Sequence, residues 1–200
     1  MKDATQIRDV KSAILDATDR LLARNGYKKM TIDDLAAEVG IGKGSVYLHF
    51  SSKEEIALSH IDAIIERLKS RLDEIAHKKT SCESRLKEML IERVIFRFDS
   101  VQHYTQSLND LLSKIRPSLL ERRKRYFEEE ARIFATLIKI GISEGSFAKV
   151  NADEAAHSLL LATNSLLPYS LSTQELGARR DIEKRISYLA DLLLKGLIIR

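Results

Sequence analysis

Apolar residues recur at steps of three and four along almost the whole chain, and this spacing restricts the fold more than any other feature. It is the period of an α-helix that buries one face, whereas the alternation typical of a β-strand is absent. Prolines, which interrupt helices, occur at only two of the 200 positions, Pro117 and Pro168. The sequence therefore predicts an all-α fold of about nine helices.

Start and stop signals divide the first 60 residues into short helices. The first helix is predicted over residues 7–24, because Gly26 supplies a left-handed cap after it. Thr31, followed by two acids, predicts the N-cap of a second helix, and glycines 40 and 42 end that helix. A third helix is predicted over 43–50. Ser52 and Glu55 have capping-box spacing, which predicts the start of a fourth helix that continues to about residue 76.

The rest of the chain predicts a larger helical body. Helices are expected over 85–98, 104–114, 117–144, 152–167 and 179–197, with a polar loop over 170–177. Pro117 is placed in the first turn of its helix, where a missing N–H costs nothing. We expect two domains, a three-helix domain over residues 1–52 and a body over residues 53–200, joined by the fourth helix.

Charge and composition narrow the classes of function. The formal net charge is +4, which permits nucleic-acid binding without demonstrating it, and residues 1–56 carry equal numbers of basic and acidic side chains. No apolar run approaches the roughly 18 residues that span a bilayer, and no secretory signal opens the chain. The single cysteine, Cys82, suits a reducing compartment. We expect a cytoplasmic protein without a membrane partner. No metal is expected, because no metal-ligand spacing is present, and no cofactor.

Residues 31–50 have the features of a helix-turn-helix unit. Ala36 is small where two helices must approach closely, and Gly40 occupies the turn between them. The second helix of such a unit enters the major groove of DNA. The same hairpin also occurs in proteins that never bind DNA. The prediction of DNA binding therefore depends on which side chains the hairpin places toward a duplex.

Several side chains are placed for contact with a duplex. Lys43 and Ser45 lie at the N-terminal end of the second helix, where side chains reach base edges, and Gly44 lets the backbone come close. Tyr47 and His49 can donate to phosphate oxygens. Two further residues are placed at the starts of the second and fourth helices beside the same strand: Thr31 and Lys53.

The stretches GYKKMTIDDLAAEVG (26–40) and KGSVYLHFSSKEE (43–55) resemble the N-terminal signature of the tetracycline-repressor (TetR) family. The resemblance covers about residues 7–60, and beyond them it is one of architecture only. It implies a homodimeric repressor that a small ligand releases from operator DNA. It assigns base or groove contact to residues 43–45 and phosphate contact to Thr31, Tyr47, His49 and Lys53. Leu48 departs from the pattern, since many relatives have an aromatic or polar residue there.

The last helix is apolar on more sides than its own core can cover, which predicts a dimer interface. Together with the preceding helix it would meet its copy in a four-helix interface, and the operator would then be nearly palindromic. The alternative is a deeply buried helix pair inside a monomer. The predicted interface residues are Leu159, Leu166, Ile182, Ile186, Leu189, Leu193 and Leu197.

A ligand pocket is expected among the middle helices. Its candidate lining residues are aromatic or polar, and ordinary core packing is the alternative for each of them: Phe96, Phe98, His103, Tyr104, Tyr126, Phe127, Phe134, His157 and Asn164. An enzyme is the first competing function, although no nucleophile motif, glycine-rich phosphate loop or recognisable carboxylate pair is present. A second is a DNA-binding protein that answers to a protein partner or acts architecturally, without a small ligand.

Overall fold

The computed structural model describes residues 4–168, 170, 175 and 177–198, and the regular structure in these ranges is helical. An isolated β-bridge joins Phe147 and Ile198. This confirms the all-α prediction. The α-helices in the described ranges are α1 (Ala4–Lys29), α2 (Ile32–Val39), α3 (Lys43–Tyr47), α4 (Lys53–Ala76), α5 (Cys82–Val101), α6 (Thr105–Ser143), α7 (Ala152–Thr163) and α8 (Arg179–Leu194). Short 3-10 turns follow α5 (Gln102–Tyr104) and α7 (Asn164–Leu166).

The residues predicted to cap or interrupt the first helices have these roles in the structure. Gly26 has a φ of 70°, which interrupts the helical backbone inside α1. At the start of α2, the Asp34 N–H donates to Thr31 Oγ1 at 3.1 Å, and the Thr31 N–H donates to Asp34 Oδ2 at 2.9 Å. These bonds with Thr31 hold the pKa of Asp34 below its usual value. Gly40 ends α2 with a φ of 75°, a conformation that few side chains tolerate.

The prediction of two helices around Pro117 was wrong. Helix α6 is continuous from Thr105 to Ser143, and Pro117 lies inside it. The proline removes one backbone hydrogen bond, to the carbonyl four residues earlier. Leu111 and Ile115, in the turns before it, are buried in a hydrophobic core. Their burial in this core keeps the chain helical in spite of the lost bond.

The chain divides into two compact units. The first contains residues 1–64 and 101–121, and the second contains residues 65–100 and 122–200. The first is larger than the expected domain over residues 1–52, because residues from the start of α4 and from α6 belong to its core. That core includes Ile14, Leu22, Met30, Leu35, Val46, Phe50, Ile56, Leu111 and Ile115.

The second unit has two buried clusters. The larger gathers residues of α4, α5, α6, α7 and α8, with Phe134 and Phe147 as its largest aromatic members. The smaller joins α5 to α8 through Val94, Phe98 and Ile182. The predicted loop over 170–177 lies outside the described residues except at 170, 175 and 177. Within the described ranges no helix is both long and apolar enough to cross a membrane.

Candidate DNA-binding surface

Helices α2 and α3 form a tight two-helix unit around the turn at residues 40–42. Leu35 and Ala36 of α2 and Val46 of α3 are buried in one core. The Ile41 N–H donates to the Ala36 carbonyl at 2.9 Å and closes the end of α2. The arrangement is the one that a helix-turn-helix unit requires.

Side chains of α1 hydrogen-bond to α2 and to the start of α4. Glu38 of α2 accepts a hydrogen bond from Arg20 Nε at 2.8 Å and another from Arg24 Nη2. Tyr27 is buried, and its hydroxyl donates to Glu54 Oε1 at the start of α4, at 3.3 Å. Burial, followed by the Glu54 charge, raises the pKa of Tyr27 to about 12. These contacts join α1 to α2 and to the start of α4, the two helices that flank α3 in sequence.

One face of α3 is exposed. Lys43, Gly44 and Tyr47 all lie on it, and the side chain of Tyr47 is 51% exposed. Ser45 and His49 are half-buried beside this face, while Val46 points into the core. A Cβ added at Gly44 would meet no atom within 4 Å, so the position is open to an approaching partner. The predicted base-contact residues are therefore brought together.

One residue of this surface, Asp33, was not predicted from the sequence as part of it. Asp33 accepts a hydrogen bond from Lys43 Nζ at 2.8 Å, and this contact raises the pKa of the Lys43 ammonium. Both partners are exposed, and exposed ion pairs contribute little to stability, so a DNA contact can replace this one. Leu48, which departs from the family pattern, is 77% exposed at the end of α3. Its exposure has no signal in the sequence, because apolar residues of that spacing are normally buried.

Thr31 and Lys53 are engaged within the unit. The Thr31 hydroxyl donates to Asp34 Oδ2 at 2.7 Å as part of the cap. The Lys53 Nζ lies 4.3 Å from the centre of the Tyr27 ring and donates to the Lys28 carbonyl at 3.4 Å. Burial lowers the pKa of Lys53. Both side chains have partners within the unit, and both lie at the helix starts where they were expected.

The predicted pocket residues have different surroundings where the structure describes them. Phe98, Tyr126 and Phe134 are buried. The rings of Phe127 and His157 pack with centroids 5.5 Å apart. The remaining four differ in their surroundings: Asn164 accepts a hydrogen bond from Arg93 Nη2 at 2.8 Å, Phe96 lines a cleft, His103 is exposed, and the side chain of Tyr104 lies outside the described part of the chain.

The cleft that Phe96 lines belongs to the second unit and has a volume of about 650 Å³. Two ion pairs edge it, Arg71 Nε to Glu92 Oε1 at 3.3 Å and Arg179 Nε to Asp99 Oδ1 at 2.8 Å. Its lining residues are Arg67, Ser70, Arg71, Glu92, Ile95, Phe96, Asp99 and Arg179. A volume of this size is typical of small-molecule sites.

Burial within the subunit corrects part of the predicted dimer surface. Four predicted residues are enclosed by their own chain and could not touch a second copy: Leu159, Ile182, Ile186 and Leu197. The apolar stripe of the last helix faces its own core, which is the reason. Leu166, Leu189 and Leu193 are half-buried. The large apolar side chains exposed on α7 and α8 are instead Leu161, Tyr188 and Leu192.

Comparison with known proteins agrees with this geometry. Residues 14–59 match the family model described as bacterial regulatory proteins, tetR family. The chain is 26% identical over 147 residues to the helix-turn-helix regulator YerO of Bacillus subtilis, covering 70% of this chain and 49% of that protein. It therefore spans about half the length of that relative. It is 25% identical over 151 residues to the transcriptional repressor KstR2 of Mycobacterium tuberculosis, covering 72% of both.

A solved structure shares the whole architecture. A TetR-family regulator from Pectobacterium atrosepticum superposes with a TM-score of 0.75 at 16% identity, over 100% of this chain and 99% of that one. The fold is thus that of helix-turn-helix regulators of this type, with one face of α3 exposed. Residues 14–59 resemble the tetR family of bacterial regulatory proteins, and beyond them the likeness is one of fold. The matched family and relatives are transcriptional regulators and not enzymes, which confirms the predicted class.

Proposed function

We propose that the protein is a homodimeric repressor that binds a near-palindromic operator through α3 and is released from it by a small molecule. The observation that carries this proposal is the exposed face of α3, where Lys43, Gly44 and Tyr47 lie together on a rigidly held helix-turn-helix unit. Residues 1–52 would bind DNA, and residues 53–200 would bind the ligand and dimerise. Because DNA is its target, we place its action in the cytoplasm.

The proposed contacts divide by chemistry. Lys43, Gly44 and Ser45 face base edges in the major groove, where donors and acceptors differ between base pairs. The exposed Leu48 adds an apolar contact suited to a thymine methyl group. Phosphate contacts fix the position of the protein without reading sequence. They are proposed for Thr31, Tyr47, His49 and Lys53.

Exposed apolar side chains support the dimer. Tyr188 and Leu192 are one turn apart on α8, so they share a face of that helix. Leu161 is exposed on α7, which contacts α8. Pairing these faces with those of a second copy would make a four-helix interface, which is a two-fold arrangement. Two reading helices would then meet the duplex about 34–36 Å apart, or at a multiple of that distance.

Helix α4 is the proposed link between ligand and DNA. Ile56 near its start belongs to the core of the first unit, while Leu68 and Leu72 belong to the core of the second. A ligand that binds one placement of α4 better than another shifts the population between them. A tenfold loss of operator affinity requires about 1.4 kcal/mol of such coupling.

Operator selection followed by a reporter assay tests the proposal. The full chain is used to select sequences from a random duplex library, and the enriched site is placed over a promoter in a foreign bacterial host. We expect an inverted repeat to be enriched and transcription to fall when the protein is expressed. The Lys43→Ala variant serves as the control and should repress weakly. Absence of an enriched sequence, or a rise in transcription, would contradict the proposal.

A further inference from the structure

The cleft beside Phe96 lies between three helices of the second unit. Helix α4 lines it with three exposed residues: Arg67, Ser70 and Arg71. Helix α5 lines it with four residues that repeat at steps of three and four and therefore share one stripe: Glu92, Ile95, Phe96 and Asp99. Arg179, the first residue of α8, completes the lining. A small molecule that enters from solvent would thus contact α4 and α5 together.

The stripe of α5 gives the cleft an apolar wall. Ile95 is buried in the smaller cluster of the second unit, and Phe96 is half-buried and packs against the larger one. Both side chains also line the cleft, so a molecule bound there would cover apolar surface that the chain itself leaves in contact with water. The cleft therefore favours a ligand with an apolar body.

Both acidic residues of the lining already have an arginine partner. Glu92 Oε1 accepts a hydrogen bond from Arg71 Nε at 3.3 Å, which joins α5 to α4. Asp99 Oδ1 accepts from Arg179 Nε at 2.8 Å, which joins α5 to α8. A cationic ligand would have to displace an arginine from one of these carboxylates. The cleft is for this reason a poor site for a cation.

Arg67 differs from the other two arginines of the lining. Arg71 Nη1 also lies 3.8 Å from Glu74 Oε2, and Arg179 Nη1 donates to Glu183 Oε2 at 3.1 Å, so each of them faces two carboxylates. Arg67 makes no hydrogen bond or ion pair within the part of the chain that the structure describes. Arg71, one turn later on α4, places a like charge beside it, which is unfavourable. An anion bound at Arg67 would relieve this repulsion.

We propose that the cleft binds an amphipathic organic anion, with Arg67 as the contact for its oxyanion group and Ile95 and Phe96 as the contacts for its apolar body. This inference rests on the proposed ligand-controlled function, because it names the class of the ligand. Guanidinium groups bind carboxylate, sulfonate and phosphate oxygens through charge-assisted hydrogen bonds. An inorganic anion gains nothing from the apolar wall, and a neutral apolar molecule gains nothing from Arg67.

A ligand in the cleft would act on α4 directly. Arg67 and Arg71 of α4 face the ligand, while Leu68 and Leu72, each the next residue along, are buried in the core of the second unit. A molecule that contacts Arg67 and the stripe of α5 at once binds one spacing of the two helices better than others, and so shifts the population toward it. Helix α4 is also the proposed link to the DNA-binding residues.

Two fluorescent probes with the same rings test the class of ligand. The anion 8-anilinonaphthalene-1-sulfonate and its neutral counterpart N-phenyl-1-naphthylamine are each titrated into the full chain at fixed ionic strength. Sodium sulfate is then added as a competitor, with sodium chloride of equal ionic strength as its control. We expect the sulfonate probe to bind, and sulfate to displace no more of it than chloride does. Absence of binding, or displacement by sulfate alone, would overturn the inference.

Substitution of Arg67 locates the oxyanion contact. Arg67→Gln removes the charge at an exposed position of α4, and Arg132→Gln makes the same change at an exposed position of α6. We expect Arg67→Gln to weaken binding of the sulfonate probe about fivefold or more and that of the neutral probe by less than about twofold. Arg132→Gln should change neither, and Arg67→Lys, which keeps the charge without the planar fork, should fall between Arg67→Gln and the parent. Unchanged binding of the sulfonate probe to Arg67→Gln, or an equal loss of both probes, would rule out Arg67 as the contact.

Filling the cleft tests whether the probes bind there. Ser70→Trp places a large side chain in the lining, and Ser84→Trp makes the same change at an exposed position of α5 outside it. Both probes are excited at wavelengths that tryptophan does not absorb. We expect Ser70→Trp to weaken binding of both probes and Ser84→Trp to leave it unchanged. Binding to Ser70→Trp as tight as to the parent would place the probes elsewhere and overturn the inference.

Operator affinity of the parent chain, measured in parallel, separates this inference from the proposed function. If the parent binds its operator but the sulfonate probe binds independently of Arg67, the inference fails and the proposed repressor function stands. If the parent binds no operator while the probe binds through Arg67, the proposed function fails and the anion site remains.

Discussion

Replacing Leu192 with glutamate is expected to convert the dimer into a monomer and to lower operator affinity at least about a hundredfold, or about 2.7 kcal/mol. Leu192 is 54% exposed on α8, one turn after the exposed Tyr188. In the proposed four-helix interface its side chain lies against a second copy, and a charge placed there is desolvated without a partner. A monomer contacts one half-site only, so it loses the second set of contacts. Sedimentation velocity and operator titration measure the two effects.

A matched variant separates a specific effect from a general one. Leu120→Glu makes the same change at a similarly exposed position, 51%, in the first unit. We expect it to remain a dimer with the melting temperature of the parent. A parent chain that sediments as a monomer at micromolar concentration would contradict the proposed interface, and so would a Leu192→Glu chain that stays dimeric.

Lys43→Ala is expected to weaken binding to the preferred operator by about 1–3 kcal/mol and to flatten the preference at one base pair of each half-site. The reason is that Lys43 lies at the exposed N-terminal end of α3, where side chains reach base edges. Tyr47→Phe removes a hydroxyl proposed to contact phosphate, so it should weaken all duplexes evenly. Titration of the operator and of single-base variants with each protein distinguishes the two patterns.

The Lys43–Asp33 contact provides the control for this experiment. Both Lys43→Ala and Asp33→Asn break the 2.8 Å ion pair, but only the first removes the group proposed to read a base. We expect Asp33→Asn to bind the operator as tightly as the parent or more tightly, because it removes a negative charge close to the DNA backbone. If both variants lose affinity equally, Lys43 acts through the ion pair and not as a base contact.

The helix-turn-helix unit could be predicted from sequence because its signals are local. The Thr31 cap and the glycines at 26 and 40 act within a few residues, and the structure places each as expected. The effect of Pro117 could not be predicted in this way. A proline indicates the start of a helix only when no tertiary packing keeps the preceding residues helical. The burial of Leu111 and Ile115 depends on residues far away in sequence, and it keeps α6 continuous.

Which apolar residues of the body are exposed was also hard to predict, because burial depends on contacts between residues that are distant in sequence. An apolar pattern shows that a residue will be buried, but not whether its own chain or a second copy buries it. Ile182 and Ile186 are covered by their own chain, while Leu192 on the same helix is exposed. Arg93 and Glu130 meet across 37 positions of sequence, and no local pattern signals such a contact.

The central claim, that two copies of α3 read a two-fold operator, is tested most directly by a hydroxyl-radical footprint on the selected duplex. The account predicts two protected segments related by inverted repetition, with centres about 34–36 Å apart or a multiple of that distance. Lys43→Ala should reduce the sequence preference at the same position in both halves. A single protected segment, two segments in direct repeat, or uniform protection without sequence preference would contradict the claim.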